Sequence, residues 1–81
     1  MWVQVLFFAR TKELAGKSHV KLQLEDGTDT AKLLQILCTR FPTLKEMLPF
    51  VTVAVNFEYV FCPKRLRNGD EVAIMPPIGG G

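Results

Sequence analysis

The sequence has 81 residues, of which 48% are hydrophobic and 22% are charged, and its net charge is +2. This length allows one domain, and the hydrophobic fraction argues against intrinsic disorder. The small net charge gives no indication of a nucleic-acid partner. No apolar run approaches the roughly 20 residues that a membrane-spanning helix needs, so we expect no membrane association.

Residues 2–9 predict the first strand, because β-branched and aromatic side chains dominate them. One side of this strand is uniformly apolar and is predicted to face the core: Val3, Val5, Phe7 and Ala9. Leu6 and Phe8 lie on the other side, which we expect to face outward. Residues 11–15 predict a helical turn that ends at Gly16 in a left-handed conformation.

Residues 18–25 alternate between apolar and polar side chains, which predicts a second strand paired antiparallel with the first. Residues 26–27 form a turn, and Thr28 is the predicted N-cap of a helix. Apolar residues recur at spacings of three and four and predict an amphipathic helix that ends at Pro42. The apolar members of this helix are Ala31, Leu34, Leu37, Cys38 and Phe41.

The second half of the chain predicts three more strands after an apolar connector at residues 44–50. The strands are predicted at residues 51–56, 59–61 and 71–75. In the last strand Val72 and Ile74 are expected to face the core, and Ala73 and Met75 to face outward. This order predicts an α+β fold in which one main helix packs on a mixed sheet of about five strands. The first and last strands are expected to lie side by side at the centre of the sheet.

The side chains do not indicate an enzyme active site. His19 is the only histidine and has no evident polar partner for acid–base chemistry. Cys38 and Cys62 are too far apart in sequence for a metal motif, and we interpret them as free thiols in a reducing, cytosolic compartment. The amino terminus shows no signal peptide. A basic cluster is either a solvated loop or a docking patch for an anionic partner: Lys64, Arg65 and Arg67.

Two features remain informative, and the first is the outward apolar face. If the first and last strands are neighbours, one face of the sheet carries Leu6, Phe8, Ala73 and Met75, with Tyr59 nearby. Apolar side chains on the helix-free face of a small sheet indicate a docking surface. The alternatives are accidental exposure, or cover by the connector at residues 44–50.

The second feature is the glycine tail. Pro76 and Pro77 prevent the last strand from continuing, and Gly79, Gly80 and Gly81 follow them. We therefore divide the chain into a domain at residues 1–78 and a tail at residues 79–81. Glycine alone can present a terminal carboxylate through a narrow channel without a side chain. The alternative interpretation is a frayed end without function.

Several segments together resemble a known family. They read VLFFAR and ELAG near the start, VN and EYV in the middle, and NGDEVA, PPI and GG near the end. The chain resembles the MoaD-like family of ubiquitin-like sulfur carriers, the small subunits of molybdopterin synthase, over nearly its whole length. Gly79 departs from the family pattern, which has a small residue such as Ser, Thr or Ala at this position.

This resemblance implies a β-grasp fold and a defined chemistry. An E1-like adenylating enzyme would use ATP to activate the carboxylate of Gly81, and a sulfur donor would convert the adenylate to a thiocarboxylate. In the large synthase subunit the thiocarboxylate would give its sulfur to a pyranopterin precursor and so build the dithiolene of molybdopterin. The two kinds of subunit are expected to form a heterotetramer. The chain itself is expected to bind no cofactor and to contribute no catalytic side chain.

The resemblance also assigns roles to residues of this chain. Gly81 carries the chemistry, and Gly79 and Gly80 thread the tail into the partner. The family's partner contacts carry over to Phe8, Tyr59 and Met75. We also expect partner contacts from Leu6, on the same outward face, and from Pro76, Pro77 and Ile78, directly before the tail. Other functions stay open: a sulfur carrier for thiamine, tRNA thiolation or cysteine synthesis, a ubiquitin-like protein modifier, or an interaction module whose tail is inert.

Overall fold

The computed structural model describes residues 1–77. The predicted roles of Ile78, Gly79, Gly80 and Gly81 lie outside the described residues, as does the domain boundary after residue 78. The described elements are β1 (Trp2–Phe7), α1 (Arg10–Ala15), β2 (His19–Gln23), α2 (Thr30–Arg40), two 3₁₀ turns (Pro42–Leu44 and Leu48–Phe50), β3 (Thr52–Val55), β4 (Glu58–Val60) and β5 (Glu71–Met75).

The five strands form one mixed sheet in the order β2-β1-β5-β3-β4. β1 and β5 are parallel, and the other neighbouring pairs are antiparallel. This arrangement confirms the predicted α+β fold, the hairpin of the first two strands and the central position of the first and last strands. Two parallel neighbouring strands cannot be joined by a tight turn. The elements from α1 to β4 form the connection between β1 and β5.

The core lies between one face of the sheet and α2. Val3, Val5 and Phe7 of β1 and Val72 and Ile74 of β5 are buried on this face, as the alternation predicts. In β3 the burial does not alternate, because Ala54 is buried together with Val53 and Val55. The inward prediction for Ala9 was wrong, because β1 ends at Phe7 and Ala9 is exposed. Leu33 and Leu37 of α2 are fully buried against them. The connector packs on the helices and buries Leu44 and Leu48.

The predicted inward face of α2 was only partly right. Leu37 is buried, but Ala31 is exposed, and Leu34, Cys38 and Phe41 are half-buried at the edge of the core. The fully inward positions are instead Thr30, Leu33 and Leu37. Apolar residues occupy adjacent stripes of this helix, and spacing alone does not determine which stripe packs on the sheet.

The predicted N-cap of α2 was wrong by one residue. The carboxylate of Asp29 accepts a hydrogen bond from the backbone N–H of Lys32 at 2.8 Å, so Asp29 is the cap. The hydroxyl of Thr28 instead donates to the carbonyl oxygen of Glu25 at 2.7 Å and belongs to the preceding turn. The predicted end of α1 is confirmed, because Gly16 adopts φ 77° and its N–H donates to the carbonyl oxygen of Lys12.

Thr11 joins the end of β1 to the end of β5. Its side chain is fully buried, and its hydroxyl oxygen accepts from the backbone N–H of Phe8 at 2.9 Å. The same hydroxyl donates to the carbonyl oxygen of Ile74 at 2.7 Å. Thr11 therefore fixes the backbone on which Phe8 is carried relative to the strand that leads to the tail.

We expect Thr11→Val to lower the free energy of unfolding by about 1–3 kcal/mol, because buried polar groups of the backbone lose their partner. Urea unfolding followed by circular dichroism measures the change. The matched control is Thr39→Val, since the hydroxyl of Thr39 makes only an exposed bond to Gln35 at 3.3 Å. Equal effects of the two substitutions would contradict a special role for Thr11.

Candidate functional site

The open face of the sheet carries a row of four side chains that crosses four strands. Leu6 of β1 is paired with Ala73 of β5, which is paired with Ala54 of β3, which in turn is paired with Tyr59 of β4. Paired residues on neighbouring strands project to the same face of a sheet. The row therefore lies on the face opposite α2.

This row forms the floor and two walls of a groove. Two alanines occupy its centre, and the larger side chains of Leu6 and Tyr59 stand at either side, so the face is concave. The groove has a volume of about 270 Å³ and is lined by Leu6, Phe8, Ala54, Phe57, Tyr59, Glu71, Ala73 and Met75. Only Glu71 among these residues carries a charge, so the groove suits an apolar partner surface. We call it the docking groove.

The structure brings together the residues that the sequence placed on this face. Leu6, Phe8, Tyr59 and Met75 all line the docking groove, and Phe8 and Tyr59 are 45% and 57% exposed. The alternative of cover by the connector is wrong, because no residue of this segment lines the docking groove. The role of these side chains in binding a partner stays a prediction.

Sequence reasoning missed Phe57, which stands at the edge of the docking groove and is 91% exposed. β3 and β4 are joined by a two-residue turn, in which Asn56 has φ 51° and Phe57 has φ 71°. Tight hairpins favour positive φ at both positions, and Asn followed by Gly is the preferred pair. The signal in the sequence was Asn56 between two apolar strands. Phe57 gives no such signal, because a bulky residue rarely adopts positive φ.

The side chain of Asn56 holds this turn to the start of β5. Its Nδ2 donates to a carboxylate oxygen of Asp70 at 2.9 Å, and its Oδ1 accepts from the backbone N–H of Glu71 at 3.0 Å. The position of Phe57 is therefore set relative to the central strand, and not only by the hairpin.

The root of the tail leaves from one end of the docking groove. Met75 lines the groove, Pro76 is half-buried, and Pro77 is exposed at the last described position. Thr52 is the cross-strand partner of Met75, so the backbone is held by β3 up to this point. A partner that covers the groove would contact Met75 and then meet Pro76 and Pro77.

The other residues singled out from the sequence do not assemble with this site. His19 is exposed, and its Nδ1 lies 3.0 Å from the hydroxyl of Ser18. Cys38 is half-buried and Cys62 is exposed, and both are free thiols. Within residues 1–77 no three metal-binding side chains cluster, and no helix in this range is long and apolar enough to cross a membrane.

The basic cluster lies on a segment that is fixed to the start of α2. The carbonyl oxygen of Lys64 accepts from Thr30 N–H at 2.9 Å, and Leu66 N–H donates to the carbonyl oxygen of Thr28 at 2.9 Å. The side chains of the cluster line a depression with Asn56 and Asp70. The Asp70 carboxylate on this depression makes it mixed in charge and less suited to a strongly anionic ligand.

Comparison with known sequences identifies relatives along the whole chain. The profile of the ThiS family matches residues 5–81. Relatives from Arabidopsis thaliana and Chlamydomonas reinhardtii are both called molybdopterin synthase sulfur carrier subunit. The Arabidopsis protein is 40% identical over 98% of this chain and 82% of its own length. The Chlamydomonas protein is 39% identical, with 100% of both chains covered.

Solved structures share the fold. A putative molybdopterin converting factor subunit 1 from Pyrococcus furiosus has a TM-score of 0.87 and 30% identity, covering 96% of this chain and 99% of its own. A chain from the complex of subunits 1 and 2 of the Helicobacter pylori molybdopterin-converting factor has a TM-score of 0.74 and 27% identity, with 100% of both chains covered. SAMP1 from Haloferax volcanii has a TM-score of 0.87 at 24% identity over 100% of both chains, which shows the fold alone. The predicted β-grasp fold is confirmed.

We expect Phe57→Gly to raise the free energy of unfolding by about 0.5–1 kcal/mol, because glycine adopts positive φ without steric cost. The exposed phenyl ring loses few contacts within the chain. Asn56→Gly is the matched control in the same turn, and it should lower stability, because it removes the hydrogen bonds to Asp70 and Glu71. Thermal unfolding of both variants and of the parent chain shows whether each substitution raises or lowers the stability. A loss of stability in Phe57→Gly would show that the turn is not strained.

Proposed function

The chain belongs to the ThiS family, and on this premise we propose that it is the sulfur carrier subunit of a molybdopterin synthase. Relatives at 39–40% identity carry that name over nearly the full length of this chain. The observation that carries the proposal is the docking groove that ends at Met75, directly before the two prolines and the glycine tail. A partner seated on this groove receives the tail in a defined direction.

In the proposed mechanism the reacting group is the carboxylate of Gly81. A carboxylate is a poor electrophile, so a partner enzyme first transfers AMP from ATP to one of its oxygens and releases pyrophosphate. A sulfur donor at the oxidation level of sulfide then displaces AMP and leaves a thiocarboxylate. The thiocarboxylate sulfur is the nucleophile that the synthase uses to build the dithiolene. ATP is thus a substrate of the partner, and the carrier binds no cofactor.

In this mechanism the carrier must bind its partners and extend its tail into their active sites. It needs no acid–base side chains of its own. The groove supplies an apolar contact surface, and Thr11 fixes Phe8 relative to the strand that leads to the tail. Gly79 and Gly80 carry no side chain, so they fit a channel that leads to a partner active site. Catalytic side chains then belong to the partners, and the carrier acts as a sulfur-donating cosubstrate.

The proposed partners are the large synthase subunit and an E1-like adenylating enzyme. The similar Helicobacter pylori chain was solved as a complex of subunits 1 and 2 of the molybdopterin-converting factor, which supports the first partner. Both partners act on the same carboxylate, so we propose that they occupy the docking groove in turn. By the same resemblance we propose a heterotetramer of two carriers and two large subunits, located in the cytosol, where free thiols such as Cys62 stay reduced.

A ubiquitin-like protein modifier is the second candidate, because adenylation of the terminal glycine is shared by both functions. The fold does not separate them, since a small archaeal modifier protein has the same fold at a TM-score of 0.85. The fate of the activated carboxylate separates them: a carrier keeps sulfur on Gly81, whereas a modifier forms amide bonds to lysines of other proteins.

We expect the chain incubated with an adenylating enzyme, ATP and a sulfur donor to gain about 16 Da, the difference between sulfur and oxygen. Mass spectrometry of the intact protein measures it, and the product should convert the pyranopterin precursor to molybdopterin when the large subunit is added. A variant with one alanine added after Gly81 is the control and should form no molybdopterin. Molybdopterin formation by the extended chain would overturn the proposal, and conjugates to other proteins would favour the modifier.

We expect Phe8→Ala and Tyr59→Ala each to weaken binding of the large subunit by about 2–4 kcal/mol, as for aromatic side chains at the centre of an interface. Isothermal titration calorimetry gives the affinities. Trp2→Ala is the matched control, because Trp2 is 44% exposed, does not line the docking groove and lies at the opposite end of β1 from Phe8. A similar loss in all three variants would place the interface elsewhere.

A further inference from the structure

A second groove lies on the helix side of the sheet, away from the docking groove. One wall is the last part of β2 and the turn after it, from Leu22 to Glu25, and the other wall is α2. Its volume is about 300 Å³, and α2 contributes Lys32, Ile36 and Arg40. These three residues are spaced by four, so they form one stripe along the helix. We call this the edge groove.

The backbone of β2 is available for pairing along the edge groove. Within residues 1–77, β2 is an edge strand whose only neighbour is β1. The N–H of Leu24 donates to the carbonyl oxygen of Met1 at 2.7 Å, and in an antiparallel ladder hydrogen-bonded positions alternate along the strand. Lys21 and Gln23 therefore direct their N–H and C=O groups away from β1. An edge of this kind accepts an additional strand.

The charges of the edge groove select the kind of strand that fits. The ion pairs formed among residues 1–77 join Met1 to Asp26 and Arg10 to Glu13, so the exposed cations Lys32 and Arg40 have no carboxylate partner there. Glu25 is the one carboxylate among the described residues that line the groove, and it lies at the end where the turn leads into α2. The stripe thus presents a half-buried Ile36 between two unpaired cations.

We propose that the edge groove binds an extended acidic segment of a partner protein, which pairs with β2 as a sixth strand. Lys32 and Arg40 are eight residues apart, a rise of about 12 Å on a helix. Residues i and i+4 of a strand are about 13 Å apart. Acidic side chains at i and i+4 therefore reach both cations, and an apolar side chain at i+2 contacts Ile36. A second copy of this chain is a poor occupant, because it would bring the same cations together.

This inference does not depend on the sulfur carrier function, since it uses neither the docking groove nor the tail. The edge groove faces the helix side of the sheet, and the docking groove lies on the other face. A partner bound at β2 thus leaves Leu6, Tyr59 and Met75 accessible. Such a segment would hold the carrier while its tail is passed between enzymes.

The test uses the full ¹⁵N-labelled chain and the peptide acetyl-Thr-Glu-Thr-Val-Thr-Glu-Thr-amide. We expect amide chemical shifts to change at Lys21, Gln23 and the stripe on α2, and not in the docking groove. Two control peptides are the same sequence with Lys for Glu, and a shuffled sequence in which Glu and Val no longer share one parity. Both should bind at least about fivefold more weakly, since the cations and Ile36 lose their partners.

Variants of the chain distinguish peptide binding in the edge groove from non-specific electrostatic attraction. Arg40→Glu should weaken binding of the acidic peptide about fivefold, whereas Lys45→Glu, a charge reversal on the exposed connector, should leave it unchanged. Gln23→Pro removes an outward N–H without removing a bond to β1, and it should also abolish the shift changes at β2. The proposal is overturned if no shifts change at millimolar peptide, if they map to the basic cluster at residues 64–67, or if Lys45→Glu weakens binding as much as Arg40→Glu. A dimer of the parent chain in sedimentation that Gln23→Pro abolishes would also overturn it.

Discussion

The parallel pairing of β1 with β5 is the constraint on which the rest of this structure depends. It places β5 between β1 and β3, so pairing holds the backbone as far as Ile74 on the β1 side and as far as Met75 on the β3 side. The same register sets Leu6 beside Ala73 and thereby creates the row that forms the docking groove. Because parallel neighbours cannot be joined by a tight turn, the chain between them must form the helix and the remaining strands. The pairing of β1 with β5 thus determines the positions of the docking groove, the core and the root of the tail.

Backbone strain lies at both aromatic edges of the docking groove. Ala9, which follows Phe8, has φ 52°, and Phe57 has φ 71°. A non-glycine residue in this region costs about 1–2 kcal/mol, so the surrounding structure must hold it there. The side chains of Thr11 and Asn56 do so, because they accept hydrogen bonds from the backbone N–H groups of Phe8 and Glu71. We interpret the strain as the cost of presenting two phenyl rings outward at fixed positions, which an interface with a rigid partner requires.

The sequence was sufficient for the sheet and for most of the site, because both depend on alternation. Strand residues point to opposite faces in strict turn, so Leu6, Ala73 and Met75 had to share a face once β1 and β5 were neighbours. The buried face of α2 was harder to predict, since apolar residues cover more than one stripe of this helix. Which stripe faces the sheet depends on packing. Phe57 could not be found from its residue type, because its position depends on a turn conformation that phenylalanine disfavours. The chemistry at Gly81 was indicated by family resemblance and not by any pattern of side chains.

In the proposed mechanism the carrier serves two enzymes in succession, so its docking surface must bind each of them and then release it. The docking groove suits this proposed role, because two alanines lie at its centre and larger apolar side chains line its edges. On this proposal, affinity depends on the large side chains of Phe8, Tyr59 and Phe57, which line the groove. A high affinity for either enzyme would block the other, since both need the same tail. An independent contact at the edge groove would resolve this conflict, because it keeps the carrier near its partners while the docking groove is exchanged.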